Sequence, residues 1–194
     1  MVNIAVLVSG GGTNLQAIID GINQGRIRNA KINLVLSSNA DAYALKRAEK
    51  ENINTTVINK DTEPNPDKRT DQIIEALEEA DTDLIVLAGY MQILPLPIVT
   101  KYENKIINIH PSLIPKHCGQ GFYGRKVHES VINSGDKESG ATVHYVDEGV
   151  DTGDIIIQQK VDVLEDDTVE TLAERVLKVE HLILVSAINR IVNS

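Results

Sequence analysis

Ile4-Ala5-Val6-Leu7-Val8-Ser9-Gly10-Gly11-Gly12-Thr13-Asn14-Leu15 reads as a strand, a tight turn and the start of a helix. The apolar run stops on three successive glycines, and Asn14 to Asn23 then follows a helical pattern. The same alternation continues along the chain. Further strands are expected near Asn33 to Ser37, Thr55 to Ile58, Leu84 to Leu87 and Ile106 to Ile109. Helical patterns lie between them at Ala42 to Glu51, Asp71 to Glu79, and a short turn opened by Pro95 and Pro97 that runs to Tyr102. Such βαβα order predicts an α/β chain, Rossmann-like, with a mostly parallel sheet, helices on both faces and right-handed crossovers. After His110 comes a Pro-, Lys-, Gly- and Gln-containing loop to Gly124, then a helix from Arg125 to Asn133. Strands at Ala141 to Val146 and Ile155 to Val161 are joined by turn residues and carboxylates and read as a C-terminal β-hairpin. A long helix from Thr168 to Ile191 closes the pattern, and with no repeat or linker the expectation is one domain over 1–194.

The bulk properties narrow the partners. A chain of 194 residues can bury a sizeable core without staples. Its formal charge of −9 has no basic run longer than Lys46-Arg47 or Lys68-Arg69 to offset it. That disfavours nucleic acid as a partner while leaving room for a local positive pocket that takes an anionic metabolite. Cys118 is the only cysteine, so no intrachain disulfide forms, in keeping with a reducing compartment. Met1 to Val8 carries no basic leader, and its apolar run is too short for a signal segment or a membrane span. The expected setting is cytoplasmic, with small-molecule substrates, no membrane association, and a monomer or homodimer.

Three loops and one strand end carry the chemistry. In Ile106-Ile107-Asn108-Ile109-His110-Pro111-Ser112, alternation puts Asn108 and His110 on one face. Pro111 cannot continue a ladder, so the pair stands at the carboxyl end of the strand, the ligand edge of an open parallel sheet. Taken singly, each fits a satisfied polar group ending a strand. Side by side, an amide and an imidazole suggest carbonyl chemistry. Gly10, Gly11 and Gly12 can turn backbone N–H groups toward one point at a helix N-terminus, a cradle for phosphate. Leu15 stands where a dinucleotide fingerprint needs its third glycine, and no Gly-Lys-Ser/Thr follows, so a monophosphate fits better than NAD or ATP. Leu87-Ala88-Gly89-Tyr90-Met91-Gln92-Ile93-Leu94 leaves the sheet at the same edge, its apolar residues serving either as core or as a wall for a flat ring. Asp147, Glu148, Asp151 and Asp154 crowd the hairpin loop as a solvated turn or, less well matched, a calcium loop. His110, His117, Cys118 and His128 share no zinc spacing, so no metal is expected.

Together these segments resemble the phosphoribosylglycinamide formyltransferase family, folate-dependent enzymes of purine synthesis. The resemblance rests on Ser9 to Leu15, Ala88 to Leu94, Asn108 to Pro115, and Gly140 to Val146 followed by Asp151-Thr152-Gly153. It runs in order from Ile4 to about Glu180. Asn-x-His-Pro-Ser with the downstream Asp is shared by folate-linked formyltransferases of this fold, and the glycine turn narrows the acceptor. The resemblance implies transfer of a formyl group from the co-substrate 10-formyl-tetrahydrofolate to the amine of glycinamide ribonucleotide. Matched position by position, Asn108, His110 and Asp151 form the catalytic trio. Gly12, Thr13 and Asn14 hold phosphate, Glu180 holds the acceptor, and Met91, Gln92, Ile93 and Leu94 form the folate pocket closed by the loop from Val146 to Asp151. Lys68 falls where the family has a basic residue near folate. Gln92 replaces an Arg of many members, Leu177 replaces a Gln of some, and the segment from Lys116 to Gly124 is longer than usual.

In this reading Asn108 and a protonated His110 donate to the formyl oxygen, while Asp151 carries protons and keeps His110 cationic. His144 either supports the pair or simply packs. The competing readings are a tRNA-directed formyltransferase, expected to bring a basic extra domain, and a formyl-folate hydrolase, expected to bring an N-terminal module. A nonenzymatic nucleotide binder using the glycine turn alone leaves the trio unexplained.

Overall fold

The runs of β-branched residues form a single seven-stranded sheet, in a computed structural model that describes residues 1–194. In chain order the elements are β1 (Val2–Val8), α1 (Thr13–Asn23), β2 (Ala30–Ser37), α2 (Tyr43–Lys50), β3 (Asn54–Val57), α3 (Pro66–Glu79) and β4 (Leu84–Leu87). Then follow α4 (Leu96–Lys101), β5 (Ile106–His110), α5 (Arg125–Ser134), β6 (Glu138–Tyr145), β7 (Ile155–Asp162) and α6 (Val169–Ile191). The strand order is β3-β2-β1-β4-β5-β6-β7, parallel from β3 to β5 and antiparallel at β5–β6 and β6–β7. The strand order reverses between β1 and β4, the switch point at which ligands collect in open α/β sheets.

Side-chain alternation sorts the core onto two faces. Ile4, Val6, Val8, Ile107, Ile109 and Val143 pack with α1, α2 and α6 residues such as Leu15, Ile18, Leu45 and Leu184. Ala5, Leu7, Ile85, Leu87 and Ile106 face the other way, against Ile73 and Leu77 of α3 and Ile98 of α4. Each fully buried Leu or Ile of this kind contributes about 1.5–3 kcal/mol relative to exposure. On this second face β5 is apolar at Ile106 and polar at Asn108 and His110. The sheet therefore becomes reactive where its helical cover ends.

Local chemistry explains where elements start. Asn65 accepts from the backbone N–H groups of Asp67 and Lys68 with Pro66 behind it, so α3 begins five residues before the expected Asp71. Gly12, at φ 72°, is the N-cap of α1, and Thr13 is already helical. Thr168 caps α6 reciprocally with Thr171, at the expected start. No helix is long and apolar enough to cross a membrane.

Candidate active site

The polar end of β5 is completed by its antiparallel neighbour. Asn108 stands opposite His144 and His110 opposite Thr142 in the β5–β6 register, so all four share one face. His144 Nδ1 donates to the Tyr145 carbonyl at 2.8 Å, which leaves Nε2 of a neutral ring as an acceptor. Asn108 Nδ2 lies 3.2 Å from that nitrogen and 3.4 Å from Asp151 Oδ1. His144 thus orients the Asn108 amide. Both amide N–H groups are engaged inside the protein, and the longer bond, to Asp151, is the weaker one.

Asp151 reaches this pair from the β6–β7 connection on a backbone with φ 59°. Two glycines make the approach possible: a Cβ on Gly153 would collide with the Tyr145 carbonyl, and one on Gly149 with Thr152. Asp147 ties the loop by accepting from Gly149 N–H at 3.0 Å and from the Thr152 hydroxyl at 2.6 Å. The acidic cluster is therefore an internally bonded turn that brings Asp151 to the pair, with Asp147 and Glu148 also lining the cavity. Asp151 Oδ2 accepts from Gly119 N–H at 2.9 Å and lies 3.5 Å from His110 Nδ1. Its Oδ1 stands 3.6 Å from His144 Nε2, an electrostatic neighbour rather than a hydrogen bond. Burial raises the Asp151 carboxyl, but the neighbouring His144 and His110 rings and the Gly119 N–H outweigh it and hold the group below the usual carboxylate range.

His110 corrects one expectation. Burial pushes its imidazole below the ordinary value, and the attraction of Asp151 only partly offsets this, so the ring is held neutral rather than cationic. Nε2 donates to the His117 carbonyl at 3.0 Å, leaving the Nδ1 lone pair toward Asp151. The pair is built to receive a proton. His128 of α5, read from sequence only as a metal candidate, also lines the cavity, 5% exposed and with no partner on Nδ1. Burial and the nearby His110 lower it to about 4. No local pattern marks it, because the loop from Lys116 to Gly124 is what returns α5 to the sheet edge.

These groups line one cavity of about 420 Å³. Its wall includes Met91, Gln92, Ile93 and Leu94, together with Phe122 and Tyr123. Met91 and Ile93 are 56% and 69% exposed, so they are wall rather than core, whereas Leu94 also belongs to the α3/α4 core. At the other end Asn14 Nδ2 donates to Glu180 Oε2 at 2.8 Å, and the Asn14 Oδ1 acceptor is buried with no partner. Burial raises the Glu180 carboxyl, partly countered by Asn14. Gly12 and Thr13 sit beside the cavity in the turn and only Asn14 of that group lines it. Lys68, exposed at the start of α3, does not line the cavity, and neither does Leu177. No group of three or more His, Cys, Asp or Glu side chains is arranged to hold a metal ion.

An open α/β sheet whose switch-point edge gathers a carboxylate–imidazole–amide cluster into one cavity, with a glycine turn beside it, defines an enzyme of the group-transfer class. Residues 2–188 match the Formyl transferase family model. The chain is 44% identical over 183 residues to phosphoribosylglycinamide formyltransferase of Haemophilus influenzae, covering 94% of this chain and 84% of that protein. It is 46% identical over 185 residues to the trifunctional purine biosynthetic protein adenosine-3 of Bos taurus, covering 95% of this chain but only 18% of that protein. Among solved structures, glycinamide ribonucleotide transformylase 1 from Symbiobacterium toebii superposes with a TM-score of 0.93 at 41% identity, over 100% of this chain and 88% of that one. The chain belongs to the formyl transferase family.

Proposed function

We propose that this chain, as a single formyltransferase domain, moves the formyl group of 10-formyl-tetrahydrofolate to the amine of glycinamide ribonucleotide in purine biosynthesis. The observation that carries this reading is the pairing, within one cavity, of the Asn108–His110–Asp151 cluster with the unpartnered Asn14 Oδ1 beside Glu180. Two acceptor groups side by side suit the vicinal hydroxyls of a ribose. Of the three glycines only Gly12 is demanded by packing, since its Cβ would overlap Ala44. Gly10 and Gly11 face open space, leaving the backbone free for a phosphate at the start of α1. The loop from Met91 to Leu94 offers apolar surface and backbone groups to a pterin ring.

The acceptor's amine attacks the formyl carbon as its bond to the folate nitrogen breaks. Charge gathers on the formyl oxygen, where Asn108 donates after giving up its weak bond to Asp151. The attacking nitrogen passes its proton to His110 Nδ1, directly or through water, and the new imidazolium is stabilised by Asp151. The same proton then reaches the departing folate nitrogen. No metal enters these steps. The setting proposed for the reaction is the cytoplasm, in a monomer or homodimer.

Incubation of the protein with 10-formyl-tetrahydrofolate, with and without glycinamide ribonucleotide, tests the reading. Loss of the formyl donor only when the acceptor is present is the expected result. The chain also resembles a formyltetrahydrofolate deformylase from Pseudomonas syringae, at 26% identity and a TM-score of 0.87 over 61% of that chain. Formate release independent of the acceptor would replace transfer by hydrolysis.

A further inference from the structure

The segment from Pro115 to Gly119 touches both reactive side chains with its backbone alone. The His117 carbonyl accepts from His110 Nε2 at 3.0 Å, and Gly119 N–H donates to Asp151 Oδ2 at 2.9 Å. A shift of this segment therefore changes the orientation of both groups at once. What fixes it is the His117 side chain, which points away from the cavity and is absent from its lining. Nε2 of that ring donates to Asp136 Oδ2 at 3.0 Å, just beyond the end of α5, and Nδ1 meets the Ser130 hydroxyl on α5 at 2.8 Å. The ring is 12% exposed, so the clamp is shielded from solvent. His117 itself has φ 51°, a left-handed backbone that a residue other than glycine holds only when its surroundings impose it. The segment has other polar side-chain ties, none of them to His117 or Gly119: the buried Ser112 hydroxyl donates to the Lys116 carbonyl at 2.7 Å, Cys118 Sγ lies 3.3 Å from the Pro115 carbonyl, and an exposed Lys116 meets the same Asp136.

We propose that His117 is a positioning residue for the reaction: its ring, clamped between Ser130 and Asp136, fixes the carbonyl that orients His110 and the amide that orients Asp151. The proposal rests on the transfer reading above for its effect on turnover, though not for the clamp itself. Both reactive groups depend on one strained residue that never meets substrate. Loss of the clamp therefore lowers kcat and leaves substrate affinity alone.

Two variants cut the clamp from opposite sides. His117→Asn keeps a residue type that tolerates left-handed backbone but is too short to span both partners. Asp136→Ala leaves the 115–119 backbone untouched. In each, kcat should fall about tenfold with KM for both substrates within about twofold, a split a merely destabilised protein does not give. The double variant should be no slower than the slower single, because both substitutions break one unit. Nitrogen NMR of labelled histidines supplies the readout that needs no turnover: the His110 Nε2 resonance should move in both variants. A His110 resonance and kcat unchanged in both variants would overturn the proposal. Should the parent prove inactive with the ribonucleotide, the transfer reading fails while the NMR arm still decides the clamp.

Discussion

The two ends of the cavity are built on opposite plans. At the β5–β6 end each reactive side chain is already held by the protein: Asn108 by His144 and Asp151, His110 by the His117 carbonyl, Asp151 by Gly119. At the α1 end the groups are less completely satisfied: Asn14 is held by Glu180 through Nδ2 while its buried Oδ1 has no partner, and Gly10 and Gly11 face empty space. Groups already held in place lower a barrier because they need little rearrangement during reaction, Asn108 giving up only its weak bond to Asp151, whereas unpartnered acceptors are completed by the ligand they select. One end is fitted to the transition state and the other to a substrate.

The sharpest way to break this contrast is His110→Ala, which should lower kcat by about a thousandfold with little change in acceptor KM. Retained turnover in a steady-state assay would remove the β5 end from the chemistry. Asp151→Asn should lower kcat by about a hundredfold, since the imidazolium loses its counter-charge. At the open end, the glycines should separate. Gly12→Ala meets Ala44 on a left-handed backbone and should cost about 2 kcal/mol in a denaturation experiment. Gly11→Ala should leave stability unchanged and weaken only the acceptor. Asn14→Ala should raise acceptor KM about tenfold and leave kcat and the folate KM nearly alone; an equal loss in kcat would show that the two ends are not distinct.

The smallest expected effect concerns the buried histidines. His128 is lowered from 6.5 to about 4 in the folded state, so between those values the unfolded chain binds the proton and the folded one does not. Stability therefore falls as pH drops through that window and is fully kept above it. His128 alone should cost about 1 kcal/mol between about pH 7 and about pH 5.5, read from denaturant midpoints. His110 and His181, also lowered by burial, act in the same direction. His128→Asn should flatten the slope.

Most of the fold is legible in the sequence because strands and helices announce themselves by period. The first five strands, the hairpin and α6 fall within a few residues of expectation, and the early start of α3 traces to its Asn65 side-chain cap. The candidate site is legible where a local pattern marks residues that the fold brings to one cavity, at Asn108, His110 and Asn14, whereas Gly12 and Thr13 lie beside it. It is hidden where the partner arrives by register or by loop return. His144 matters because it stands opposite Asn108, and that follows from pairing rather than from its neighbours in sequence. His128 and the backbone of His117 and Gly119 reach the cavity through a loop with no periodicity to read. The downward shift of the His110 pKa is hidden for a related reason: a carboxylate is visible in sequence, whereas desolvation depends on the finished cavity.

The turn that delivers Asp151 has a consequence for redesign. Gly149 and Gly153 have no room for a side chain, Asp151 itself sits left-handed, and Asp147 with Thr152 locks the span between them. These positions are constrained by backbone geometry as much as by chemistry, so changes there less conservative than Asp151→Asn should cost stability as well as activity. An altered acceptor preference is reached more readily through Gly10, Gly11 and the surroundings of Asn14, where space is free and the scaffold does not object.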